Sequence, residues 1–144
     1  MGVTIKCKKT GREIDLGCGG FMQLRRKVAQ LMGEPFSSHY EKLCNAPIIM
    51  RPEVEEKFWK DWATEADRIL AENHFPVKVV KFLLAPDSEA TTRYGACKEI
   101  LKVIGDYDDN ICYGYAGRSD CAMFRDFKAI LQYCVDNKCD MVWM

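Results

Sequence analysis

Gly17-Cys18-Gly19-Gly20-Phe21-Met22-Gln23-Leu24-Arg25-Arg26 is the stretch whose reading decides the fold. Its first residues are nearly all glycine, so the backbone there can take φ > 0 and can pass close to another group. Phe21, Leu24, Val28, Leu31 and Met32 then recur with a helical period and mark one apolar face, so a helix runs from about Gly20 to Met32. Upstream, Glu13-Ile14-Asp15-Leu16 alternates apolar with charged residues, the pattern of a half-buried strand. The stretch is therefore the point where a sheet hands the chain to its helices. A helix that begins there turns free N–H groups and its positive dipole end outward, which suits an anion. Arg25 stands at the border of the apolar face, within reach of a ligand or of solvent.

Working outward, Val3, Ile5 and Cys7 alternate with Thr4, Lys6 and Lys8 as a preceding strand. Lys9-Thr10-Gly11-Arg12 joins the two strands as a hairpin, with Gly11 suited to its left-handed position. Gly33 and Pro35 end the first helix, and Ser37 or Ser38 caps a short turn through Tyr40 and Leu43. Pro52 fits the first position of a helix to about Glu72, with Glu53, Glu55 and Glu56 at its positive end. Val54, Phe58, Trp62, Ala66, Ile69 and Leu70 form the stripe of that helix, and Trp59 falls off it. Phe75 to Leu84 is short enough to be a strand or a helix; the shared face of Val79, Val80, Leu83 and Leu84 favours a helix.

Ala85-Pro86-Asp87-Ser88-Glu89 turns the chain, and Thr91 or Thr92 caps a helix that buries Cys97, Ile100, Leu101 and Ile104 and ends at Gly105. Asp106-Tyr107-Asp108-Asp109-Asn110 lacks the glycine and the bidentate glutamate of a calcium loop and reads as a solvated turn. Ser119 caps a last helix, Asp120 to Asp136, with Phe124, Phe127, Leu131 and Cys134 inward. Asn137 takes a left-handed position after it, and Cys139 to Trp143 closes the chain as a strand. The expectation is one α+β domain over residues 1–144: a small antiparallel sheet, made of the N-terminal hairpin and the C-terminal strand, packed against four to five helices on one face.

Composition bounds the partners. Lys+Arg and Asp+Glu are both 21, and this balance argues against DNA or RNA, whose binding needs an excess of basic surface. No apolar run is long enough for a signal core or a membrane span, so the expected place is the cytoplasm. The eight cysteines are then expected to be reduced and mostly buried as small apolar groups. No pair has Cys-x-x-Cys spacing and neither His39 nor His74 neighbours a cysteine pair, so no metal and no cofactor is expected. His39 and His74 read as surface or cap residues.

Two constellations can carry ligand chemistry. The glycine turn is not a dinucleotide fingerprint and is not followed by the Gly-Lys-Ser/Thr of a P-loop. It is either a tight connection or an anion pocket built from the amides of Gly19 and Gly20 with Arg25. The second set is Arg93-Tyr94-Gly95 with Tyr113, Tyr115 and Arg118, where aromatic rings and guanidinium groups suit a flat, phosphate-bearing ligand. Asp87 can accept hydrogen bonds from a base or ribose. Catalytic signatures are absent, and Cys18 is the one cysteine placed at a helix start.

Gly17-Cys18-Gly19-Gly20-Phe21 with Leu24-Arg25 and Ala29 resembles a Tyr-Gly-Gly-Phe-x-x-Leu-Arg…Ala pattern. Phe82-Leu83-Leu84 with Asp87 and then Cys97 resembles a Leu-Leu-x-His-Ser-Asp-Cys-Asp-Gly…Cys pattern. Both patterns occur, in this order, in a family of small uncharacterised proteins of bacteria and their phages and prophages. Cys18 stands where that family has an aromatic, and Ala85-Pro86 replaces its His-Ser pair. No activity is assigned to that family; small phage proteins without catalytic signatures often act by binding, and with the glycine-arginine stretch this gives the leading expectation, a non-enzymatic protein that sequesters a phosphate-bearing small molecule, a cyclic-nucleotide or ADP-ribose-type immune signal, as a homo-oligomer in the host cytoplasm. The second reading is a module that blocks a host protein through Trp59, Tyr107 and Tyr113, and the third is a hydrolase of the same signal.

Overall fold

The computed structural model describes residues 2–47, 50–114 and 122–144. Two strands open the chain, β1 (Gly2–Cys7) and β2 (Glu13–Gly17), followed by helices α1 (Cys18–Met32), α2 (Phe36–Cys44), α3 (Pro52–Asn73) and α4 (Val77–Leu84). Strand β3 (Ala90–Thr92), helices α5 (Tyr94–Ile104) and α6 (Phe124–Asp136), and strand β4 (Met141–Trp143) complete the described elements. The sheet is four-stranded in the order β2-β1-β4-β3, and every neighbouring pair is antiparallel. The fold is thus α+β, with the N-terminal hairpin and the last strand in one sheet.

Register explains the layering. Val3 faces Leu16, Ile5 faces Ile14 and Trp143, and Cys7 faces Met141, so one face of the sheet is apolar. Helices α1 and α6 cover that face; α5 packs on α6 and α1, α4 on α5, α2 on α1, and α3 on α2. Trp143 lies at the centre, fully buried, edge-on to Phe21 at 5.3 Å and to Phe82 at 5.8 Å, and its indole N–H donates to the Pro86 carbonyl at 2.9 Å. Burying a side chain of this size stabilises the fold by roughly 1.5–3 kcal/mol.

Several local expectations are corrected. The first helix starts at Cys18 rather than Gly20. Thr91 and Thr92 do not cap a helix; they pair with Val142 and Met141 as an edge strand, and Arg93 precedes α5. Three residues are too few to show a strand period, and threonine suits either role. The hydroxyls of Ser37 and Ser38 both donate to the Glu34 carboxylate at 2.7 Å instead of capping α2. Among the described residues the last helix begins at Phe124, where Asp126 accepts from the Met123 N–H at 2.7 Å; Ser119 and Asp120 lie outside them. After α6 it is Lys138 that takes the left-handed conformation, at φ 48, whereas Asn137 sits at φ −100. The helices of the described residues number six, because Phe36–Cys44 forms a helix where only a turn was expected.

His39 is not a surface residue. It is buried and stacks on Trp62 at 4.6 Å; its Nε2 lies 2.9 Å from the Trp62 carbonyl, and Trp62 donates to the His39 carbonyl at 2.9 Å. That reciprocal pair joins α2 to α3. His74 does cap, in a left-handed conformation at the end of α3. The outer side of the first half of α3 is exposed: Val54 is 50% exposed and Trp59 46%, with Trp59 edge-on to Phe58, which packs against the core.

Candidate functional site

The two parts of the glycine stretch do different work. Gly19 and Gly20 lie in the first turn of α1, and Gly19 faces open space. Gly20 is pressed against Tyr113: a Cβ there would overlap the Tyr113 carbonyl oxygen and lie 2.6 Å from its carbon. The Gly17 N–H donates to that same carbonyl at 3.3 Å. The glycine at position 20 is thus required by a backbone passing over the helix start. Tyr113 itself is buried rather than offered as a stacking surface; its hydroxyl donates to Asp109 at 2.7 Å and its ring packs 6.1 Å from Phe124. Burial and the Asp109 carboxylate push the Tyr113 phenol above its ordinary range.

Arg25 is likewise not at a solvent border. It is 6% exposed, lies 4.4 Å over the Phe21 ring, and donates to the Phe82 carbonyl at 3.2 Å and the Ala85 carbonyl at 2.6 Å. Its other terminal nitrogen pairs with Asp87. Burial holds its pKa below the ordinary arginine value. Arg25 and Asp87, each expected to hold part of a ligand, are instead partners of each other, fastening the end of α4 and the following turn onto α1. Tyr115 and Arg118 lie outside the described residues.

Arg93 is placed elsewhere, on the rim of a cleft of about 450 Å³ between α4 and α5. Pro76 and the apolar face of Val79, Val80 and Leu83 set α4, which leaves Lys78 and Lys81 on the outward side, one turn apart. Arg93 is extended (φ −70, ψ 154), so α5 begins abruptly and the amides of Tyr94, Gly95 and Ala96 precede the first intrahelical bond, Cys97 N–H to Arg93 at 3.0 Å. Phe82, Thr91, Thr92, Gly95 and Ala96 line the floor, and Tyr94, 44% exposed, stands beside them. Lys78 Nζ lies 3.4 Å from where a Gly95 Cβ would be, directly over the helix start. No carboxylate lines the cleft, and among the described residues Lys78, Lys81 and Arg93 enter no ion pair. Three cations, free amides and a tyrosine ring make an arrangement that can hold an anionic, partly aromatic molecule.

The sequence singled out Arg93-Tyr94-Gly95 but not Lys78 and Lys81. Lysines three apart on the polar side of a helix look like solvated surface, and only the packing of α4 on α5 turns them toward Arg93. Catalytic chemistry gains no support from the cleft: its lining residues contain no histidine, carboxylate or cysteine. No helix among the described residues is long and apolar enough to cross a membrane. Comparison of the chain with protein-family models, curated proteins and solved structures gives no match.

Proposed function

We propose that the chain is a non-enzymatic binding protein for a phosphate-bearing small molecule, held in the cleft between α4 and α5. The observation that carries the reading is the cluster of Lys78, Lys81 and Arg93 around the start of α5, with no acidic group among the lining residues. Arg93 and the lysines pair with phosphate, the amides of Gly95 and Ala96 complete the anion contact, and Tyr94 stacks on a base or ribose. Together with the resemblance to phage proteins, this favours a phage anti-defence sponge that sequesters a nucleotide-derived immune signal, a cyclic nucleotide or an ADP-ribose-type compound, in the host cytoplasm and as a homo-oligomer. A cleft of about 450 Å³ is of the size that takes one small molecule.

The test is a thermal-shift panel of cyclic and linear nucleotides and ADP-ribose compounds. A specific ligand at 100 times its dissociation constant adds about 2.7 kcal/mol of stability. Absence of any shift across the panel overturns the reading. The reading as a module that blocks a host protein keeps one observation in its favour, the exposed Trp59 and Val54 on the outer side of the first half of α3. Of its other expected anchors, Tyr107 donates to Asp109 at 2.9 Å and Tyr113 is buried. A stoichiometric host protein retained by the wild-type chain and lost with Trp59→Ala supports that alternative.

A further inference from the structure

The cysteines do not behave as isolated core residues. Cys7 of β1 and Cys139, just before β4, are disulfide-bonded, which corrects the expectation that the thiols are reduced. A disulfide needs two sulfurs, yet Cys134 of α6 is buried beside them, and the sulfurs of Cys7, Cys134 and Cys139 all lie within 4.8 Å of one another. A fourth, Cys97 of α5, is buried as well, outside that mutual spacing, and its thiol donates to the Thr92 carbonyl at 3.9 Å. Three sulfurs, from β1, from α6 and from the residue two before β4, thus meet at one end of the core, with Cys97 of α5 buried nearby. In a tetrahedral thiolate site with bonds of about 2.3 Å the sulfurs stand about 3.8 Å apart, a spacing open to the Cys7 and Cys139 sulfurs once their bond is reduced.

We propose that Cys7, Cys134 and Cys139, completed by Cys97, form a tetrathiolate site for a divalent, borderline-soft cation, zinc by chemical class, in the reduced chain. A dithiol reductant delivers two electrons and two protons to the Cys7–Cys139 bond and itself closes to a disulfide. The four thiols then release their protons as the cation binds. In the proposed site the Cys97 thiol turns from the Thr92 carbonyl toward the other three sulfurs. All four sulfurs are buried, as in closed structural zinc sites. The cluster reaches the surface at Cys139, which borders a cleft with Lys8, Lys9, Lys138 and Asp140. The three ammonium groups offset the net negative charge of a zinc tetrathiolate. The sequence conceals this site, because only Cys134 and Cys139 are close in the chain and their spacing is not Cys-x-x-Cys.

The experiment uses the full chain, purified with a thiol reductant and no chelator, and measures metal content and cobalt(II) uptake. The expected result is about one zinc per chain. In the reduced, metal-stripped chain, cobalt should produce a sulfur-to-cobalt charge-transfer band that zinc bleaches at equal stoichiometry. Cys134→Ser should lose about a hundredfold or more in zinc affinity, since even second-shell losses cost up to that much. Cys18→Ser, which lies outside the cluster, should keep the band. A reduced wild-type chain that takes up no cobalt overturns the proposal, and so does a folded Cys134→Ser chain that binds as tightly as wild type. If Cys134→Ser does not fold, the wild-type metal content and cobalt spectrum decide alone.

Discussion

Gly19 and Gly20 are adjacent, share a helix turn and have opposite surroundings, which makes them a sharp pair of probes. At Gly20 a methyl group collides with the Tyr113 backbone, which cannot swing aside as a side-chain tip could. Gly20→Ala should therefore destabilise by about 1–3 kcal/mol or more. At Gly19 a methyl group meets nothing, so Gly19→Ala should be neutral or stabilise by up to about 1 kcal/mol. Urea unfolding of both variants checks the contrast. Arg25 is the second residue whose role the structure changes. Its truncation to alanine leaves the Phe82 and Ala85 carbonyls without their donor and should cost about 2–4 kcal/mol. A melt of Arg25→Ala close to that of wild type would contradict its role as a fastening between α1 and the end of α4. Glycine content and an amphipathic border were legible in the sequence. The partner of each was not, because Tyr113, Phe82 and Asp87 come from distant parts of the chain.

At the scale of elements, helices with a strong period were readable: α1, α3 and α5 follow from their apolar stripes, and α4 from the shared face of Val79, Val80 and Leu83, although Leu84, expected on that face, is exposed. The short pieces were not. Strand β3 spans three residues and is defined only by the partners that β4 offers it. Helix α2 lacks a capping hydroxyl and is held instead by tertiary contacts, above all the exchange between His39 and Trp62. Trp62 was legible as a core position; its hydrogen bond to another helix was not. Trp62→Phe keeps most of the apolar area but strands the His39 carbonyl, and should cost about 1–3 kcal/mol. A loss below a few tenths of a kcal/mol in chemical denaturation would show that the α2–α3 junction does not depend on that bond.

The whole molecule is a sheet closed by its two ends, with β1 and β4 at the centre and the helices stacked outward from α1 and α6. Closure buries phenols, and this predicts how stability responds to alkali. Burial pushes Tyr40 up to about 12, and Tyr113 is raised as well. In the unfolded chain both ionise near 10. The folded state thus retains protons that the unfolded state gives up, so their contribution is intact below about pH 10 and is lost as pH rises toward 12. Spectrophotometric titration should leave the Tyr40 and Tyr113 phenols protonated above pH 10 for as long as the chain stays folded. Their ionisation near pH 10 in the folded protein would contradict their burial.

The same packing that joins α4 to α5 creates the cationic cleft, so the account turns on whether that cleft binds phosphate. Calorimetric titration of wild type and Arg93→Ala, with the panel nucleotide giving the largest thermal shift, tests this most directly. The account predicts saturable binding by wild type and a tenfold or greater loss, about 1.4 kcal/mol or more, in Arg93→Ala. Equal affinity in the two proteins would contradict it.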